Sequence, residues 1–395
     1  MSDAVIVESV RSPGGRYRRG GLAGTRGDEI GIQVLKGLLA RVPALKPEDV
    51  DDLIVGCAFP EAEQGMNLGK VIAIGGGLPI TTSGMVINRF CSSGVQAIAD
   101  ATAKIRAGWS EVIIAGGCES MSHIPMGGSI FRPHPDWGDL PNTYVSMGIT
   151  AENVAANYKV SREDQDRFGI ESNRRAFEAI KAGKFKDEII PIKAYRYTKT
   201  KNGKRIREQV VFDMDDGVRW PTTMEDLARL KSPFKQGGSV TAGNSSQMTD
   251  GAGLTLLMSE EKAKSLGLKP LARLTHYAVA GCKPEEMGIG PAFAIPKVLK
   301  MAGLTTKDID VYEINEAFAC QALYSIRTVG IEDRLAAGDI NPNGGAIALG
   351  HPLGATGAKL TAQLLYELKR RKAKRGMVSM CIAGGMGAAG IFEML

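Results

Sequence analysis

Short apolar runs alternate with amphipathic stretches over most of the chain. Runs dense in Val, Ile, Leu and Met predict strands at 53–57, 85–90, 112–115, 254–258, 311–314 and 377–382. Apolar positions at helical spacing predict helices between them, for example at 94–107 and 358–369. The strand candidates lack polar alternation, so both faces of each must be covered. The expected fold class is therefore α/β, with sheets layered between helices.

The two ends of the chain share an order of elements. Near the start come a strand ending Gly56-Cys57, a turn with Cys91, a helix, a strand and Gly116-Gly117. Near the end come a strand ending Asn315-Glu316, a turn with His351, a helix, a strand and Gly384-Gly385. This predicts a duplicated unit, each copy placing one reactive residue just before a helix. Residues 121–245 differ, being richer in Pro, Arg, Lys and Asp, with Asp136-Trp137-Gly138-Asp139 and helical periodicity over 151–182. They read as an inserted domain forming a lid or ligand wall.

Composition narrows the function classes. At 395 residues the chain has room for two or three domains of about 150 residues. Gly is enriched, at 49 residues, without a three-residue period, and clusters around the apolar runs where backbone must approach something closely. The net charge is +6, concentrated at 193–207 and 369–375. A polyanion partner is one reading of those stretches and a solvated face is the other. Asn202-Gly203 marks the first as an exposed hairpin, and the second ends a helix where cations suit the dipole, so the solvated face is preferred. Six Cys without a C-x-x-C pair and only four His support neither a zinc site nor a disulfide framework. The first residues carry no secretory signal, no apolar run reaches about 18 residues, and Phe392-Glu393-Met394-Leu395 is no peroxisomal address. A cytoplasmic protein without a metal, a nucleic-acid partner or a membrane span is expected.

Four segments carry candidate chemistry. Cys91, in Asn88-Arg89-Phe90-Cys91-Ser92-Ser93-Gly94, lies between a strand and a helix, where free amides and the helix dipole stabilise a thiolate. It is read equally well as a buried small residue. His351 lies between Gly350 and Pro352 in a segment with five Gly, a backbone that presents the imidazole rather than burying it. Cys381 enters the glycine loop Gly384-Gly385-Met386-Gly387, whose amides can approach an oxyanion. Gly385 to Gly390 also matches G-x-G-x-x-G, but only five residues follow, so no helix receives a pyrophosphate and a nicotinamide dehydrogenase is excluded. Asn315, in Asn315-Glu316-Ala317-Phe318-Ala319, either holds a water or caps the following helix.

These motifs, in this order and with Val240-Thr241-Ala242-Gly243-Asn244-Ser245-Ser246-Gln247, resemble the thiolase family over essentially the whole chain. The resemblance implies a five-layered α-β-α-β-α fold of two duplicated halves plus a loop domain. It places the N-terminal half at 1–120 and 246–270, the loop domain at 121–245 and the C-terminal half at 271–395. It makes Cys91 the acyl-carrying nucleophile, His351 its base and Cys381 the second acid/base, with Asn315 holding a water. The amides of Cys91 and Ala383 form an oxyanion hole; thiolases usually have Gly at the second position, so a methyl group is added and the local φ restricted. Ser246, Arg219, Met147 and Phe318 are carried over as coenzyme A and acyl contacts. Coenzyme A is then a substrate, and no permanently bound cofactor is implied.

Ser146-Met147-Gly148, Arg219 before Pro221-Thr222-Thr223-Met224, and Met287-Gly288-Ile289-Gly290-Pro291 are more like the degradative 3-ketoacyl-CoA members than the acetoacetyl-CoA makers. The family implies a homodimer or homotetramer and, in bacterial β-oxidation, a hydratase/dehydrogenase partner subunit. A decarboxylating ketosynthase would want a Cys with two His, and a hydroxymethylglutaryl-CoA-type synthase a catalytic Glu and no second Cys motif. A silent coenzyme A-binding protein is the alternative from another class.

Overall fold

The apolar runs form strands, and most extend beyond their apolar centres. The computed structural model describes residues 3–135, 143–199, 202 and 205–395; the stretch 136–139 and Gly203 of the expected hairpin turn lie outside them. The strands are β1 (Ala4–Arg11), β2 (Gly15–Arg16), β3 (Asp52–Gly56), β4 (Ser83–Ile87), β5 (Val112–Ser120) and β6 (Ile192–Lys199). They continue with β7 (Arg205–Phe212), β8 (Thr249–Ser259), β9 (Ala272–Gly281), β10 (Val311–Ile314), β11 (Arg375–Ile382) and β12 (Met386–Met394). The helices are α1 (Gly27–Arg41), α2 (Leu68–Gly76), α3 (Ser93–Arg106), α4 (Met147–Asn157), α5 (Arg162–Lys181) and α6 (Met224–Ala228). After them come α7 (Glu260–Ser265), α8 (Gly290–Ala302), α9 (Ala319–Val329), α10 (Glu332–Ala336), α11 (Ala346–Leu349) and α12 (Thr356–Arg371).

Strand order makes the duplication explicit. The path runs β10-β11-β12-β9-β1-β8-β5-β3-β4, so β3-β5-β8-β1 on one side mirrors β10-β11-β12-β9 on the other. Among the described residues the two sheets meet through one strand pair, Ile6 with Ala272. What binds them is side-chain burial. Ile98 and Ala101 of α3 and Leu360, Leu364 and Leu365 of α12 pack with Ile54, Ile113, Leu257, Val378 and Met380 in one cluster between the sheets. Alternate strand positions face outward, Leu53 and Val55 against α1 and α2, and Met377 and Ile391 against α8 and α9. The result is five layers, α-β-α-β-α, as expected.

Three expectations need correction. Strand β4 stops at Ile87 rather than residue 90, because Asn88 takes the backbone N–H of Phe90 onto its side chain and starts a turn. The helical periodicity over 151–182 is two helices, since Ser161 caps α5 through the N–H of Asp164. The glycine loop expected after Cys381 is a turn only over residues 383–385, since Met386 and Gly387 already belong to β12. The chain leaves the first sheet at Ser120 and rejoins it at Thr249, and β6–β7 between them is the expected ribbon. No described helix is long and apolar enough to cross a membrane.

Candidate active site

Both middle-layer helices begin at the same end of the sheets, and the reactive residues precede them. The Asn88 amide donates to Ala58 O at 2.9 Å while its oxygen accepts from Phe90 N at 2.8 Å. Ser93 Oγ accepts from Arg89 N at 2.8 Å and donates to Phe90 O at 2.7 Å. This sharp turn holds Phe90 at φ +43, a left-handed conformation costing about 1–2 kcal/mol for a residue with a β-carbon. Cys91 follows, two residues before α3, with 6% of its surface exposed. Its own N–H and that of Ala383 are directed at its sulfur. Burial outweighs those amides, and the thiol pKa is pushed up to about 12, aided by the negative Glu119 nearby. The expected thiolate stabilisation at the helix start is thus overridden by desolvation.

His351 is fixed from outside its own turn. Its N–H donates to Gln247 O and Thr249 Oγ1, both at 3.0 Å. Nδ1 lies 2.6 Å from Thr356 Oγ1, whose own proton goes to Pro352 O at 3.1 Å. The hydroxyl therefore accepts from Nδ1–H, leaving a lone pair on Nε2. Nε2 faces Asn315 Nδ2 at 3.4 Å. The imidazole is 5% exposed, so it is buried rather than presented as its glycine-rich setting implied. Burial, then the charge on Lys359, lowers its pKa to about 3. Lys359 Nζ reaches Leu349 O and Gly350 O, each at 3.0 Å, from within the core.

Asn315 adjoins His351, and Cys381 adjoins Cys91. Asn315 does not cap a helix, since α9 starts at Ala319; its Oδ1 is buried without a partner among the described residues. Cys381, on β11, is fully buried, which raises its pKa, and lies close enough to Cys91 for the two to disfavour ionisation together. In the β11–β12 turn, left-handed φ falls on Gly384 (+81) and Gly385 (+87), not on Ala383, so the methyl of Ala383 imposes no strain.

The segment 244–248 threads between these parts. Ser246 N–H donates to Ala317 O at 2.9 Å, and Met248 bridges to His351. Phe318 is buried edge-on to Phe234, and Met147 opens α4 against the same cluster. The backbone of Arg219 is held by Asn173, and burial and then Arg16 lower its pKa. One guanidinium nitrogen is buried without a partner among the described residues.

Residues 4–261 match the family model of the thiolase N-terminal domain, and residues 268–394 that of the C-terminal domain. The chain belongs to the thiolase family. A relative named 3-ketoacyl-CoA thiolase from Bacillus subtilis (strain 168) is 50% identical over 395 residues, all of both chains. The peroxisomal 3-ketoacyl-CoA thiolase 5 of Arabidopsis thaliana is 46% identical, covering 99% of this chain and 85% of that one. A crystal structure of Bacillus anthracis acetyl-CoA acetyltransferase superposes with a TM-score of 0.88 at 39% identity, covering 100% and 99%.

Sequence reading missed several residues that shape the site of this thiolase. Thr356 orients the His351 ring, and its place five residues after His351 was the available signal. Met121 and Leu353, with Tyr17, Phe59 and Phe90, make an apolar surround for Cys91, drawn from segments that no local pattern links. Glu119, buried beneath both turns, gave no signal beyond its position at a strand end.

Proposed function

We propose that this thiolase cleaves 3-ketoacyl-CoA with coenzyme A, giving acetyl-CoA and a shortened acyl-CoA through an acyl thioester on Cys91. The observations that carry the reading are that the Ala383 amide and the Cys381 thiol lie at Cys91, and that the His351 loop packs on Cys91 through Leu353 while its Nε2 lone pair faces Asn315. With the thiol raised and the imidazole lowered, the resting pair is neutral, and the proton passes to Nε2 only as the sulfur attacks the keto carbon. Carbon–carbon cleavage expels the acetyl-CoA enolate, whose oxygen is held by His351 and a water on Asn315. Cys381 protonates its carbon. Cys381 then takes the proton of coenzyme A, whose sulfur attacks the Cys91 thioester while the Cys91 and Ala383 amides hold the oxyanion. Cys91 leaves and recovers its proton from His351.

Ser246, Met147 and Phe318 fit the pantetheine and acyl end, and the unpaired guanidinium nitrogen of Arg219 fits the adenine end. The 1–120 plus 246–270, 121–245 and 271–395 division assigns the nucleophile, the ligand wall and the acid/base groups to separate parts. Relatives named 3-ketoacyl-CoA thiolase support the degradative direction, and a place in β-oxidation in the cytoplasm is part of this proposal. The free edge of β4, with partly exposed side chains, suits a homo-oligomer, to which a hydratase/dehydrogenase subunit would add. The acetyl-CoA acetyltransferase neighbour favours a second reading, acetoacetyl-CoA synthesis by the same groups in reverse.

The test is thiolysis of 3-ketoacyl-CoA from four to sixteen carbons. Long chains should turn over, and Cys91→Ala should lose on the order of 10⁴-fold or more. Cleavage of acetoacetyl-CoA alone selects the second reading. No thiolysis at any length leaves a coenzyme A-binding protein.

A further inference from the structure

Glu119 is the last residue but one of β5, beneath the site and 1% exposed. One oxygen, Oε2, accepts two backbone N–H groups, Ala58 at 2.7 Å and Gly354 at 2.8 Å. Ala58 is the residue whose carbonyl anchors Asn88 in the nucleophile turn, at 2.9 Å. Gly354 lies between His351 and Thr356 in the base loop. The other oxygen accepts from Gln64 Nε2 at 3.0 Å and faces Cys57 Sγ at 3.6 Å. All four neighbours donate to it, which suits an ionised carboxylate although burial pushes its pKa up.

The contact is closely seated. A β-carbon on Gly354 would come 2.6 Å from Cys57 Cα and 2.8 Å from Glu119 Oε2, and one on Gly117 would come 2.0 Å from Gly354 O. An apolar core residue could fill this volume without the cost of a buried charge. The carboxylate adds a fixed link from one half of the molecule to the other. We propose that Glu119 is a positioning residue that sets the distance between the Cys91 turn and the His351 loop. The inference rests on the thiolase reading for its consequence but not for its test.

The test is a double-mutant cycle between Glu119 and His351. It reads both thiolysis and the iodoacetamide alkylation of Cys91, followed by peptide mass spectrometry at pH 8. Glu119→Ala should lower the alkylation rate and kcat by about 100-fold, as misplacement of a reacting group by about 1 Å does. KM for coenzyme A should stay within about threefold, since coenzyme A contacts lie elsewhere. In a His351→Asn background the same change should lower neither rate further, because the base it positions is gone. Glu119→Gln should recover at least about a third of the unaltered rate, since one carbonyl oxygen can still accept both N–H groups. Should Glu119→Ala fail to fold, Glu119→Asp, which draws the carboxylate back by about 1.5 Å, enters the same cycle. Equal losses in both backgrounds, or a Gln variant as slow as Ala, overturn the proposal. Alkylation needs no substrate, so an unaltered protein without thiolysis sinks the thiolase reading while the cycle still decides this one.

Discussion

The Cys91 turn and the His351 loop occupy matching places, each ahead of a middle-layer helix, yet they are held in opposite ways. The Cys91 turn is built chiefly from its own side chains, Asn88 and Ser93, and leaves its left-handed φ on a bulky residue, Phe90. The His351 loop puts its left-handed φ on Gly350 and takes restraints from afar, from Gln247, Thr249 and Glu119, besides the nearer Lys359. A nucleophile has to be presented at one point, which a local turn can do. On the proposed mechanism the base has to be matched to a nucleophile from the other half, so its loop answers to that half's neighbours.

The comparison breaks most visibly at Gly350. A β-carbon there would lie 2.2 Å from Thr249 Oγ1, and φ is +84. Phe90 also has a positive φ, +43, but Gly350 combines its own with ψ 161, a region essentially confined to Gly. Gly350→Ala should lower thiolysis by about 100-fold and unfolding free energy by at least about 2 kcal/mol. Activity assays and urea unfolding check this, and full activity would mean the loop is less tightly determined than its contacts indicate. A smaller effect is expected at Thr356. Thr356→Val leaves the Nδ1–H of His351 unpaired and should lower kcat by about tenfold with KM little changed, Thr356→Ser restoring it. Failure of the Ser rescue would separate the hydroxyl from the loss.

The smallest effect concerns pH. His351 has a folded pKa of about 3 against 6.5 ordinarily, so between these values the unfolded chain binds the extra proton. Stability from this group is present above 6.5 and is lost as pH falls towards 3. Cys91, raised from 9.0 to about 12, responds at the other end, its contribution being lost only as pH rises past 9. Urea unfolding at pH 4.5, 5.5 and 6.5 should show a shallower acid loss for His351→Asn, by up to about one proton. An identical slope would place His351 in solvent.

The same contrast explains what the sequence made legible. Asn88 to Gly94 could be read as a strand-to-helix turn because its restraints lie within a few residues. The layered α/β class followed from unbroken apolar strands, and the duplication from element order. The burial of His351, its contacts with Gln247 and Thr249, and the Glu119 link join residues about one hundred or more apart, which periodicity does not encode. The thiol shift was misread because desolvation depends on what packs over Cys91, and Tyr17, Phe59, Met121 and Leu353 come from separate segments.

Strand order also governs how the molecule comes off the ribosome. Strand β8 lies between β1 and β5, but it is made only after the whole of 121–248. At roughly 5–20 residues per second, the edges of β1 and β5 wait on the order of ten seconds for their shared partner. For that interval the nascent chain carries two apolar edges that pair readily with any extended peptide, its own or a neighbour's. Chaperone demand during synthesis should therefore peak between the completion of β5 and the emergence of β8, and fall once that central strand closes the first sheet.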